Sequence, residues 1–152
     1  MGMTELQQRV RACPVICLDT VTFIYHFEDN PTYASLTELI FADIEAGMIE
    51  AIASTIAFAE AMTGAKKAKS DALALRYRAI FANYPHLTIM PLDMQVAERV
   101  ADIRCRYGLK TPDAIAVATA LVHHAQALVT NDRNLRRVAE LDVILLADYV
   151  GV

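Results

Sequence analysis

Long apolar runs are missing from this sequence. None reaches the roughly 18 residues that a membrane-spanning helix needs, and residues 1–12 carry Glu5, Arg9 and Arg11 where a signal peptide would have an unbroken hydrophobic stretch. The reading is a cytoplasmic protein with no membrane partner. Paired cysteines are missing too. Cys13, Cys17 and Cys105 are odd in number and lack the spacing of a zinc site or a disulfide framework, so reduced, mostly packed thiols are expected. Positive charge is not in excess. With 14 Lys and Arg against 18 Asp and Glu, the formal charge is -4, which argues against holding nucleic acid by bulk electrostatics. It leaves open chemistry on phosphates at a carboxylate-rich metal site, where bound cations cancel the negative charge. Local clusters, Lys66, Lys67 and Lys69 or Arg133, Arg136 and Arg137, offer places to meet a phosphate. Repeats, low-complexity tracts and long linkers are also lacking, so nothing divides the chain.

What is present is a core. A chain of 152 residues, 55% hydrophobic, is the size of one domain and buries about 68–70% of its unfolded surface. We set residues 1–12 apart as an N-terminal extension and read 13–152 as one domain. Val15-Ile16-Cys17-Leu18, a short apolar run ending at Asp19, suits an interior parallel strand with a polar residue at its carboxyl end. Helical spacing follows over Val21 to Phe27 and over Thr32 to Ala46, with Gly47 as the stop. Met48 to Ala53 reads as a second strand. Ser54 or Thr55 caps a helix carrying Glu60 and ending before Gly64. Ala65 to Asn83 is a further amphipathic helix, halted by Pro85. Leu87 to Met90 is strand-like, and Asp93 caps a helix that Gly108 breaks. Thr111-Pro112-Asp113 reads as an N-cap, a first helical proline and a first-turn carboxylate. Gln126 to Thr130 is the next strand, followed by a short helix from Asn134 and a last strand over Val143 to Leu146. Strands alternate with helices throughout, which predicts an α/β fold: a three-layer α/β/α sandwich with a mainly parallel central sheet.

In such a sheet Asp19 and Asp132, each just past an apolar strand, emerge at the carboxyl edge where ligands bind. Asp113, at a helix start, and Glu60, just inside a helix entered from the second strand, can point at the same edge. Two carboxylates about 4 Å apart repel by roughly 4 kcal/mol at an effective dielectric near 20. Bound cations remove that cost. Carboxylates without His or Cys at ligand spacing suit Mg2+ or Mn2+ better than zinc, and such a site can polarise a phosphoryl oxygen and activate a water. Phosphodiester hydrolysis is the reaction class that fits.

Taken together, Leu18-Asp19-Thr20, the segment from Ser54 to Glu60, Thr111-Pro112-Asp113-Ala114 and Thr130-Asn131-Asp132 resemble the four motifs of PIN-domain ribonucleases, including VapC-like toxins, in the family's order. The resemblance covers the chain from about Val15 onward. It implies a PIN-like α/β/α fold, an Mg2+- or Mn2+-dependent endoribonuclease acting on RNA through metal-activated water, frequent homodimers and, for a toxin, a cognate antitoxin. Carried over by position, it implies metal ligation by Asp19, Glu60 and Asp113, with Asp132 as the fourth acid and Thr130 as a hydroxyl that orients water or a carboxylate. Many members have Asn or Ser two positions after the first Asp. Val21 stands there, so a hydrogen bond to the acids is either missing or supplied elsewhere.

Each acid also has a plainer reading. Asp113 can simply face its helix's positive end, Asp19 and Asp132 can be turn formers, and Glu60 can be a solvated helix residue, although its apolar neighbours favour burial. Asp93, Asp102, Asp142 and Asp148 read as caps or surface charges. His123 and His124 read as a helix end; Tyr25 and His26, just before a substrate-side loop of Glu28, Asp29, Asn30 and Pro31, read first as packing residues and second as RNA contacts. Arg133, Arg136 and Arg137 read first as solvated charges. A phosphoaspartate hydrolase would want an acid where Val21 stands. A non-catalytic PIN-like module that binds RNA or protein is the alternative from another class.

Overall fold

The computed structural model describes residues 2–151. The apolar runs become five strands: β1 (Val15–Leu18), β2 (Glu50–Ser54), β3 (Leu87–Met90), β4 (Ala127–Thr130) and β5 (Asp142–Leu145). They pair in the order β3-β2-β1-β4-β5, and every neighbouring pair is parallel. Parallel neighbours need long crossovers, and helices supply them. Between β1 and β2 run α2 (Thr20–Phe27) and α3 (Ala34–Glu45); between β2 and β3 run α4 (Thr55–Lys67) and α5 (Asp71–Asn83). Between β3 and β4 run α6 (Met94–Tyr107) and α7 (Thr111–Val122), while a 3-10 turn, Arg133–Arg137, leads into β5.

The runs in β1, β2, β4 and β5 are largely apolar because both faces of the sheet are covered there, whereas the edge strand β3 carries an exposed Thr88. Ile16, Leu18, Ala51, Ala53, Ala127, Val129 and Ile144 face one core, shared with residues of α1 (Met3–Arg11) through α5. The alternate residues Cys17, Ile52, Leu128, Val143 and Leu145 face the other, shared with α6 and α7. The three-layer sandwich expected from the alternation of elements is present.

The segment read as an N-terminal extension is a helix packed onto the domain. Leu6 and Val10 are buried in the first core, Arg11 forms a two-pronged bond to the buried Asp43 of α3 at 2.8 and 2.9 Å, and Arg9 reaches Tyr149 and Asp142. Several helix boundaries differ from the sequence reading, two of them in the residue that breaks or caps the helix. The fourth helix passes through Gly64 and ends at Lys67; a lone glycine costs a helix only about 1 kcal/mol. The break comes where Lys69 takes a positive φ of 53° and Ser70 caps the next helix through Leu73 N–H at 3.2 Å. At α7 the cap position is Lys110, so Thr111 already lies inside the helix and its side chain makes no cap bond. Asp93 and Gly108 bound α6 as anticipated, Asp93 accepting from Val96 N–H at 2.9 Å.

Candidate active site

From β1 the sheet grows through β2 and β3 in one direction and through β4 and β5 in the other. The strand order therefore switches between β1 and β4, and the crevice at their carboxyl ends is the natural ligand site of such a sheet. Asp19 directly follows β1. Its backbone N–H donates to Val129 O at 3.0 Å, its Oδ1 accepts Thr20 N–H at 2.8 Å as the cap of α2, and its Oδ2 accepts the Thr130 hydroxyl at 2.7 Å. All three bonds fix it in place. Thr130, at the end of β4, is wholly buried. The same hydroxyl that donates to Asp19 accepts Asp132 N–H at 3.2 Å, so one threonine ties two acids. Asp132 Oδ1 in turn caps the 3-10 turn through Asn134 N–H at 2.9 Å.

Glu60 reaches the crevice from α4, where Oε1 accepts the Thr20 hydroxyl at 2.7 Å. Its apolar neighbours suggested a buried carboxylate. It is exposed instead, because Ala57 and Ala61 take the inward face of the helix and leave Glu60 to the crevice. Asp113 is half-buried in the first turn of α7. Asp19, Glu60, Asp113 and Asp132 all line one cavity of about 370 Å³.

Burial pushes the Asp19 carboxyl above its ordinary range, against the lowering effect of its bonds from Thr130 and Thr20, and the charges of Asp113 and Glu60 push it further. Asp113 is raised by burial and by Asp132 and Glu60, with Lys110 opposing. The carboxylates thus repel one another across a shared space. Among the described residues, no group of three or more His, Cys, Asp or Glu side chains is drawn together as a finished metal cage. Yet the donor set fits a hard divalent cation: four carboxylates, no imidazole or thiolate on the cavity wall, and a mutual repulsion that a cation would relieve.

Three residues at this site escape a sequence reading. Thr20 supplies Glu60 with the hydrogen bond that Val21 cannot make; Val21 itself lines the cavity. Asn131 and Tyr25 are joined at 3.1 Å, and Tyr25, read as packing, lines the cavity as well. Only motif order hinted at Thr20 and Asn131, and only its place just before the loop of Glu28 to Pro31 marked Tyr25. Of the arginines after Asp132, Arg133 lines the cavity. Arg136 pairs with Asp148, and Arg137 donates to Asn134 Oδ1 and Tyr107 O, each at 2.7 Å. Lys66, Lys67 and Lys69 do not line the cavity.

The PIN domain family model matches residues 16–141. A comparison with curated proteins finds no match. Among solved structures, a toxin-antitoxin complex from Klebsiella pneumoniae has a chain 26% identical, with a TM-score of 0.67 over 86% of this chain and 97% of that one. VapBC2 from Rickettsia felis, bound to a DNA fragment from its promoter, matches at 19% identity and a TM-score of 0.69 over 86% and 98%. Mycobacterium tuberculosis VapC20, a Sarcin-Ricin loop cleaving toxin, matches at 13% identity and a TM-score of 0.69 over 82% and 95%. The last two likenesses speak for the fold alone.

Proposed function

Because this chain belongs to the PIN domain family, we propose that it is a divalent-metal-dependent endoribonuclease that hydrolyses RNA phosphodiester bonds. One observation carries the reading. Asp19, Glu60, Asp113 and Asp132 line a single cavity at the strand-order switch, and burial and mutual repulsion raise Asp19 and Asp113.

In this reading Asp19, Glu60 and Asp113 hold Mg2+ or Mn2+, and Asp132 completes the acidic wall. When bound, such an ion supplies Lewis-acid polarisation of a phosphoryl oxygen and makes a nearby water more acidic. The chain's own part is placement. Thr130 keeps Asp19 aimed by donating to Oδ2, Thr20 keeps Glu60 aimed by donating to Oε1, and Arg133 on the cavity wall can meet a phosphate of the substrate. No side chain needs to form a bond to phosphorus, so hydrolysis proceeds in one displacement.

The neighbours include toxin-antitoxin complexes, which supports a toxin role with a cognate antitoxin as protein partner. A homodimer and a cytoplasmic location belong to the same reading. Among the described residues no helix is long and apolar enough to cross a membrane. The alternative, a PIN-like module that binds RNA or protein without cutting, draws on the absence of a finished metal cage among the described residues.

One experiment separates the two. A panel of structured and single-stranded RNAs is incubated with Mg2+, Mn2+ or EDTA and either wild type or folded Asp113→Asn. Cleavage by wild type alone, abolished by EDTA, is the expected result. RNA binding without cleavage in either metal would establish the binding module and overturn the nuclease.

A further inference from the structure

Tyr25 takes no part in holding the acids, yet it lines their cavity. It is fixed from two sides. Its ring stacks on Tyr33, with centroids 4.6 Å apart and planes 16° from parallel, and its hydroxyl accepts from Asn131 Nδ2 at 3.1 Å. Asn131 is held in turn, its Oδ1 accepting Ala147 N–H at 2.9 Å. Tyr33 is steadied by Asn30, whose Oδ1 accepts the backbone N–H of Thr32 and of Tyr33 at 2.9 and 3.1 Å. Asn131 lies between Thr130, which grips Asp19, and Asp132. The ring is therefore set relative to the acids through a single strand end.

The charge around it makes this ring useful. The cavity wall carries four acids and one cation, Arg133, and the whole chain is negative. Bulk attraction for a polyanion is lacking, so a nucleic acid needs an uncharged foothold there. A pre-positioned aromatic ring is one, since every nucleobase has a face to stack and the side-chain ordering has been completed in folding. With one face against Tyr33 and part of its surface packed on the first core, the Tyr25 ring keeps the portion that lines the cavity for a base.

We propose that Tyr25, backed by Tyr33 and clamped by Asn131, is a nucleobase platform that holds one base of a single-stranded RNA beside the phosphodiester presented to the carboxylates. This rests on the ribonuclease reading. Tyr25 is then a binding residue and Asn131 a positioning residue, acting through the tyrosine hydroxyl.

Two measurements test it on the full chain. In the first, a single-stranded oligoribonucleotide carrying 2-aminopurine is titrated with Asp113→Asn protein in Mg2+, a background meant to bind without cutting. The expected result is quenched fluorescence. Adding Tyr25→Leu weakens binding about ten-fold and removes the quench, while Tyr25→Phe, which keeps the ring and loses the Asn131 bond, recovers the quench and only part of the affinity. In the second, wild type cuts RNAs that carry an abasic site stepped along the positions flanking the cut. One position should raise KM about ten-fold with little change in kcat. This second arm needs no variant, so it decides the matter even if Tyr25→Leu does not fold. Cleavage by wild type that is indifferent to every abasic position, or a folded Tyr25→Leu that binds and cuts like wild type, overturns the platform and leaves the nuclease standing. No cleavage by wild type and no binding by Asp113→Asn overturns both together.

Discussion

Thr130→Val is the sharpest perturbation of this site, because it removes one oxygen and nearly no volume. Thr130 is fully buried, so the substitution opens no cavity of consequence, and its effect reports on two hydrogen bonds. The bond to Asp19 Oδ2 is short, at 2.7 Å, and has a charged acceptor; bonds of that kind contribute about 1.5–3 kcal/mol. The bond from Asp132 N–H is longer, at 3.2 Å, and a neutral one of that kind contributes about 0.5–1.5 kcal/mol. If Asp19 must be held to act, the first bond alone sets a fall in kcat/KM of about 10- to 150-fold at 1.4 kcal/mol per decade. The assay is RNA cleavage in Mg2+ as a function of pH, with Thr130→Ser as the control that keeps the hydroxyl. The pH profile gives a second reading. The Thr130 bond works against burial and holds the Asp19 carboxyl down, so its loss should move the acid limb of the profile to higher pH. A folded Thr130→Val with wild-type kcat/KM and an unmoved acid limb would refute the idea that Thr130 aims Asp19.

Asp113→Asn should stabilise the metal-free protein and shrink the gain in melting temperature on adding Mg2+, because it removes a charge that Asp132 and Glu60 repel. The pH dependence follows the same sign. Asp19 and Asp113 titrate above the unfolded carboxylate value near about 4, so their contribution is most favourable below that value and is lost as pH rises through the raised folded values. In EDTA, wild type should therefore gain on Asp113→Asn as pH falls from about 7 towards 4; a difference that stays flat would contradict this. His26, lowered by burial, works the other way in both proteins and cancels in the comparison. Leu6→Ala should cost about 2–5 kcal/mol, read as a lower urea midpoint, since Leu6 is fully buried under α1; a negligible loss would make that helix a detachable arm. Light scattering should give the mass of a dimer, and a monomeric mass across working concentrations would remove the homodimer from the reading.

The sheet was legible in the sequence because strands buried on both faces leave apolar runs, and the runs of β1 and β4 end beside Asp19 and Asn131-Asp132. Val15–Leu18 and Leu87–Met90 are found in the structure at the bounds expected. Helix ends were harder, since they turn on single backbone angles. Nothing in Lys66 to Ser70 announces that Lys69, and not Gly64, is where the chain takes a positive φ. The acids were readable through their places after strands and at helix starts, but their support was not. Thr20 and Glu60 are 40 residues apart, and Tyr25 and Asn131 are 106 apart. A tyrosine in an amphipathic helix looks the same in sequence whether it fills a core or walls a cavity. Arg133, Arg136 and Arg137 form one cluster in sequence and three separate environments in space, because Asp148 holds Arg136, Asn134 and Tyr107 hold Arg137, and Arg133 is left on the cavity wall.

The bond between Thr130 and Asp19 spans 111 residues, and that distance sets a timetable for translation. A nascent chain carrying residues 19, 60 and 113 still lacks β4, the strand that pairs with the central β1, and with it the hydroxyl that holds Asp19. Long-range pairing of this kind cannot form until both partners have emerged from the ribosome. On the proposed reading, synthesis itself acts as a safety catch: the growing polypeptide remains harmless to the messenger RNA that encodes it until residue 132 is free to fold.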